Sequence, residues 1–262
     1  MSVCPEACLD PCGPTPLDCP PDCLDSWIQV EAEPNALAEA IAALGPLHRT
    51  LFLTAGTHLG AHVPADVTLI FEAGAVLSGY GPTSTDAPEI RGEIVAGPRR
   101  IFDLTRGPVR VFASAASVAL ADWWLDIGSL TASTNHGAGP TFVQFGPGEY
   151  LAGGETVPRG QSWIGQNTTL RRRSSAIGAM LRVDAPGNRR ATALRGFTFD
   201  GDPDGDRLPS LTAGSARLGR GFAQGALLAV VEDTELALED CTFFDPPAGT
   251  AITLGRGARL SA

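Results

Sequence analysis

Residues 141–173 read TFVQFGPGEYLAGGETVPRGQSWIGQNTTLRRR. Two short apolar runs are broken by Pro-Gly and Gly-Gly turns, and a third follows. No helical periodicity interrupts them, and strands this short and Gly-interrupted do not make a wide open sheet. Stacking them edge to edge in a coil buries their apolar sides. The stretch therefore predicts one full turn and more of a solenoid.

The chain repeats the pattern. Residues 50–70, TLFLTAGTHLGAHVPADVTLI, place Gly56 where the later stretch has Gly148, and Val63-Pro64 where it has Val157-Pro158. Further on, Leu194-Arg-Gly-Phe-Thr-Phe-Asp200 is echoed by Leu238-Glu-Asp-Cys-Thr-Phe-Phe-Asp245. Thr198 and Thr242 stand 44 residues apart, which reads as two rungs of 22. Repeats at this scale mark stacked units that bury their apolar faces only against their neighbours.

The bulk composition agrees. A chain of 262 residues with 44% hydrophobic content supplies a buried column of side chains, and an elongated solenoid escapes the size limit of a single globular core. The net charge is −10, with no Lys anywhere. Acidity of this size argues against a nucleic-acid backbone as partner, because counterion release needs clustered positive charge. No apolar run is long enough to span a membrane. The opening MSVCPEACLDPC lacks both a basic and an apolar signal region, so the expectation is synthesis in a cytoplasm without a signal peptide.

Residues 1–25 carry five of the six cysteines, Cys4, Cys8, Cys12, Cys19 and Cys23, among six prolines. Such a segment reads as an extended anchoring arm. Its thiols fit a disulfide-tied or interchain-bridged anchor, a zinc site or free thiols, and the i, i+4 spacings are not those of the usual zinc knuckles. Residues 26–46 read as a linker and a short helix, opened by Pro34-Asn35, ended by Gly45-Pro46, and suited to cap a coil. The coil itself spans 47–262, about nine rungs and roughly 40 Å at the usual strand spacing. Strands are predicted at TLFLT, VTLIFE, AVLS, EIRGEIV, RIFDL and VRVF, with an irregular insertion at 114–140. The C-terminal GTAITLGRGARLSA ends on strand-like text with no cap, which invites edge pairing.

The order TLIFEAGA (68–75), RIFD (100–103), Asp122-Trp123-Trp124, PGEYL (147–151) and LRGFTFDG (194–201) resembles the pectate-lyase superfamily. The resemblance implies an all-β, right-handed, single-stranded parallel β-helix, as in polysaccharide lyases, family 28 glycosidases and phage tailspikes. It covers about residues 47–262. In many relatives the Trp pair is followed by an acidic turn and a helix; here LDIGSLTASTNHGAG (125–139) follows, and both are read as absent. The family 28 elements are missing, no Arg aligns with a lyase base, and no catalytic residue carries over.

Within the chain, Asp200, Asp202, Asp204 and Asp206 alternate along a Gly-containing segment and match the start of a calcium loop, although its twelfth position is Leu211 rather than Glu. A solvated turn and paired-carboxylate catalysis by Asp200, Asp202 and Asp206 are the other readings. Strand alternation puts Arg171 and Arg173 on one face, as contacts for an anionic sugar or acidic neighbour, and Arg172 on the other, where the strand should end. Arg189-Arg190 is a second basic group. Trp123, Trp124, Trp163 and Tyr150 are candidates for stacking on sugars, and alternation leaves one of Trp123 and Trp124 exposed or covered by a loop or another subunit. His136 reads as a loop residue and Cys241 as a buried thiol.

Two function classes follow. One is a non-enzymatic structural or adhesion protein, a spike or fibre component of a phage-like particle. It would bind surface glycans through Trp123, Trp124, Arg171 and Arg173, hold other particle proteins through the arm, form a homotrimer and need no cofactor beyond a candidate calcium. The other is a lyase or glycosidase acting on acidic polysaccharide.

Overall fold

A computed structural model of the chain describes residues 27–44, 49–81, 86–112, 118–134, 141–158, 160–173, 178–183, 192–201, 226–244, 246 and 250–261. Strands dominate, with two α-helices, Ala36–Ala43 and Ile127–Thr134, among the described residues. The strands fall into two compact units, the second taking in Val118–Asp122 and everything described from Asp126 on, the first the rest including Trp123–Leu125.

In the first unit the strands are β1 (Trp27–Val30), β2 (Thr50–Leu53), β3 (Gly56–Leu59), β4 (Thr68–Phe71), β5 (Ala75–Ser78), β6 (Glu89–Ile90), β7 (Glu93–Val95), β8 (Phe102–Asp103) and β9 (Arg110–Val111). They form sheets β1-β2-β4-β7, β3-β5-β8 and β6-β9. The second unit holds β10 (Val118–Leu120), β11 (Phe142–Phe145), β12 (Gly148–Ala152), β13 (Glu155–Val157), β14 (Ser162–Arg172), β15 (Leu181–Val183), β16 (Thr192–Asp200), β17 (Leu228–Val230), β18 (Glu235–Glu239), β19 (Thr242–Phe244), β20 (Ile252–Leu254) and β21 (Arg259–Ser261). Its larger sheet runs β10-β11-β14-β16-β18-β21, with β12 also on β14 and β19 on β16; its smaller runs β13-β15-β17-β20. All of these pairings are parallel.

Parallel register stacks like on like. Leu51, Leu69 and Ile94 are successive partners, as are Val143, Trp163, Leu194 and Leu238, and all seven are buried. Each fully buried side chain of this size contributes roughly 1.5–3 kcal/mol relative to exposure. Aromatic contacts continue the stacking: Phe145 lies 5.0 Å from Trp163 and 5.3 Å from Phe197, and Phe199 lies flat on Phe243 at 4.7 Å. The outward residues between them are polar or half-exposed, the alternation a strand imposes.

Corners stack as well. Asn167, Gly196 and Asp240 each have positive φ, 53°, 71° and 51°, at the same bend of three neighbouring turns. There the backbones of Gly165 and Gly196 approach so closely that a Cβ on Gly165 would stand 2.7 Å from the Gly196 carbonyl oxygen. The αL conformation disfavours most L residues, which explains Asn, Gly and Asp there.

Several sequence expectations change. Thr198 and Thr242 are direct partners, so their 44-residue separation is one step of the ladder and not two. The 26–46 linker contains a strand, β1, which pairs with β2 through Trp27↔Thr50 to Val30↔Leu53. The irregular 114–140 stretch contributes β10 to the larger sheet of the second unit. The helix read as absent after Trp124 is present at Ile127–Thr134: Asp126 Oδ1 accepts from the Ser129 backbone N–H at 2.7 Å, an N-cap bond. The expected helix at 34–46 is found at Ala36–Ala43, with Leu37 buried.

Candidate functional site

On the second unit, β12, the latter half of β14, β16 and β19 lie side by side. Their inward residues form the column Tyr150, Leu170, Phe199, Phe243. Alternation then fixes two outward rows. One is Leu151, Arg171, Asp200, Phe244; the other is Glu149, Thr169, Thr198, Thr242. Rows of this kind present side chains about 4.8 Å apart; Glu149, Leu151, Thr242 and Phe244 are exposed, and Thr169, Arg171, Thr198 and Asp200 half-buried.

Arg171 is the hub. Its Nη2 lies 3.0 Å from Glu149 Oε2, and its Nε 3.4 Å from Asp200 Oδ2. The Arg171 side chain is 32% exposed and Glu149 42%, so that ion pair contributes at most about 1 kcal/mol to stability; Asp200 is 14% exposed, and its contact with Nε is one of charge and not a hydrogen bond. Their larger effect is positional, because a guanidinium held from two sides loses much of its rotamer freedom. At the ends of the row, Leu151 and Phe244 are exposed apolar side chains.

The neighbouring groups are accounted for internally. Arg172 is buried and its Nη2 donates to the Gly178 carbonyl at 3.2 Å, as the last residue of β14. Arg173 lies beyond the strand, donating from Nη2 to Asp126 Oδ2 at 3.1 Å, so it is drawn to the helix cap and not to the Arg171 row. Burial pushes the Asp126 carboxyl upward, but the Ser129 bonds and Arg173 outweigh it and hold the group below its usual range. Tyr150 Oη donates to Asp122 Oδ1 at 3.1 Å. Burial first, then the Asp122 charge, pushes the phenol up to about 12.

Trp123 and Trp124 are both buried, so neither forms a sugar platform. The alternation rule fails for them because Trp123 closes a 3₁₀ turn, Ala121–Trp123, and is not in a strand. Trp123 Nε1 donates to the Gly97 carbonyl at 3.2 Å, and the Trp124 ring packs 5.2 Å from Phe102. Trp163 is also core, its Nε1 donating to Gln161 at 2.7 Å. Cys241 is half-buried instead of buried; burial raises its thiol pKa, and Sγ lies 3.4 Å from the Leu194 carbonyl. It lines an open recess with Leu238, Phe243, Ile252 and Leu260.

Of the calcium and catalytic candidates, Asp200 joins the Arg171 row; Asp202, Asp204 and Asp206 lie outside the described residues, as do the cysteines at 4, 8, 12, 19 and 23, His136 and Arg189-Arg190. Among the described residues no three His, Cys, Asp or Glu side chains gather as a metal site, and no helix is long and apolar enough to cross a membrane.

As contact residues of an outward face, Glu149, Thr169, Thr198, Thr242 and Phe244 are not marked by the sequence, where Thr198 and Thr242 enter only as repeat positions. The repeat of Leu194–Asp200 at 238–244 holds the signal for the last three, since it places Thr198 on Thr242 and Asp200 beside Phe244. Compared with known proteins, the chain matches no family model, no curated protein and no solved structure.

Proposed function

We propose that this chain is a right-handed parallel β-helix of the pectate-lyase kind, acting as a non-enzymatic structural and adhesion protein. In this reading it is a spike or fibre component on the surface of a phage-like particle. It is anchored to other particle proteins by residues 1–25, assembles as a trimer, and touches surface glycans with the outward face of β12, β14, β16 and β19. The β-helix reading draws on consistently parallel pairing, in-register apolar columns and stacked left-handed corners; crossovers between parallel strands are right-handed.

The observation that carries the functional reading is the open four-strand face with Arg171 fixed between Glu149 and Asp200. A carboxylate bound to a guanidinium on an exposed sheet is suited to positioning and recognition; acid–base work favours a carboxylate freed of such a partner. This weighs against Asp200 as a catalytic acid with Asp202 and Asp206 on acidic polysaccharide.

Light scattering of the purified protein, with and without reductant, tests the assembly. A trimer whose mass changes on reduction supports the reading and places the arm cysteines at contacts. A monomer insensitive to reductant overturns it, and shortening of polygalacturonate chains by the same preparation would establish the enzyme instead.

A further inference from the structure

We infer that the glycan read by this face is a polyhydroxyl chain without acidic groups. The inference rests on the adhesion reading and adds the chemical class of the ligand.

Among the described residues, the outward rows carry one cation, Arg171, beside two carboxylates, Glu149 and Asp200. Both carboxylates already engage that guanidinium. An acidic sugar docking here would have to displace one of them, then sit beside it, in the field of a chain of net charge −10. Like-charge approach of this kind disfavours uronate, sulfated and sialylated chains.

What remains suits a polyhydroxyl ligand. An ionised carboxylate only accepts hydrogen bonds, and Glu149, 42% exposed, offers its oxygens to hydroxyl donors. Thr198 and Thr242, partners on adjacent strands, supply hydroxyls that both donate and accept. Phe244, 52% exposed, and Leu151, 48% exposed, bracket the polar stretch with apolar surface for the C–H faces of sugar rings. The row from Leu151 to Phe244 crosses three strand spacings, about 14 Å, a span for an oligosaccharide and not a single sugar. Arg171, pinned on both sides, keeps Glu149 and Asp200 in place, and is a positioning residue.

The test is a printed array of neutral, uronate-bearing, sulfated and amine-bearing polysaccharides, probed with the full chain at physiological ionic strength. Retention of neutral or amine-bearing glycans, and none of the uronate-bearing or sulfated ones, is expected. Glu149→Gln should weaken it by about tenfold, the scale of one hydrogen bond to a charged group, and Phe244→Ala by about the same factor, the scale of one lost aromatic contact. Both side chains are exposed, and circular dichroism checks that the variants fold.

Retention of acidic glycans in place of the others overturns this inference and leaves the adhesion reading intact. Neutral binding unchanged in both variants also overturns it, because the ligand then sits elsewhere. Retention of nothing on the array overturns the adhesion reading with it.

Discussion

Strands β3 and β12 begin alike. Each starts at a glycine with φ near +135°, Gly56 at 134° and Gly148 at 135°, and each has an eight-residue helix packed against it, Ala36–Ala43 and Ile127–Thr134. The inward ring differs. His58 is buried and its Nε2 bonds to the Thr54 carbonyl at 2.8 Å, whereas Tyr150 is half-buried and reaches Asp122. The outward residue differs more: Thr57 in one, Glu149 beside Arg171 in the other. The backbone and the inward ring are thus what the stack requires, with one polar atom of each ring, His58 Nε2 and Tyr150 Oη, bonded to a nearby oxygen, while His58 Nδ1 is buried without a hydrogen bond among the described residues. The outward positions are left for chemistry, and only β12 uses them for a charged face.

That division predicts the largest effects inside. Phe102, in the column of His58 and Leu77, and Phe199, in the column of Tyr150 and Leu170, are both buried. Phe102→Ala and Phe199→Ala should each cost about 3–5 kcal/mol. Thr198→Ala, on the outward side next to Phe199, should stay within about 0.5 kcal/mol. Urea unfolding followed by circular dichroism measures all three. A Thr198→Ala loss comparable to Phe199→Ala would break the comparison.

The two helices sharpen it at a smaller scale. Asn35, the N-cap residue of the first helix, has φ 67° and makes no side-chain cap bond, while Asp126 caps the second and holds Arg173. Asp126→Ala should cost about 1 kcal/mol, and Asn35→Gly almost nothing. The Asp126 carboxyl titrates below its unfolded value. Its contribution is therefore complete above about pH 4 and lost as pH falls through the folded value. Asp126→Ala should accordingly show a shallower acid limb than the parent chain. Equal losses for Asn35→Gly and Asp126→Ala would show that the cap contributes nothing.

How far the sequence disclosed this follows from what each signal depends on. AVLS became β5 at Ala75–Ser78, and the Gly56/Gly148 echo became two matching glycine conformations, because turn chemistry and alternation are local. Register was harder to see. From Glu149 to Thr169, Thr198 and Thr242 the steps are 20, 29 and 44 residues, since connections of different length leave and rejoin the ladder. A fixed period therefore misplaces partners, and Glu149 cannot be set beside Arg171 without the β12–β14 pairing. The helix at Ile127–Thr134 was hidden by Gly, Ser and Thr, weak helix formers, with Asp126 as its single cap signal. The buried Trp pair escaped because a 3₁₀ turn ends strand alternation just where it was applied.

The smallest effect separates the two rings themselves. Tyr150→Phe keeps the ring, and its 5.1 Å contact with Phe145, but removes the hydroxyl that donates to Asp122. At neutral pH the loss should be about 0.5–1 kcal/mol, because Asp122 is part-exposed and water takes the place of the phenol. The alkaline limb reads the surroundings of the phenol, burial first and the Asp122 charge second. Burial and Asp122 hold the proton more tightly in the folded chain, with a pKa of about 12, than in the unfolded chain, where it is about 10. The phenol's contribution is thus fully present below pH ~10 and disappears as pH rises through about 12. Unfolding midpoints across that window should fall less steeply for Tyr150→Phe than for the parent. Parallel curves would mean that neither burial nor Asp122 perturbs the phenol in the strand beside the Arg171 face.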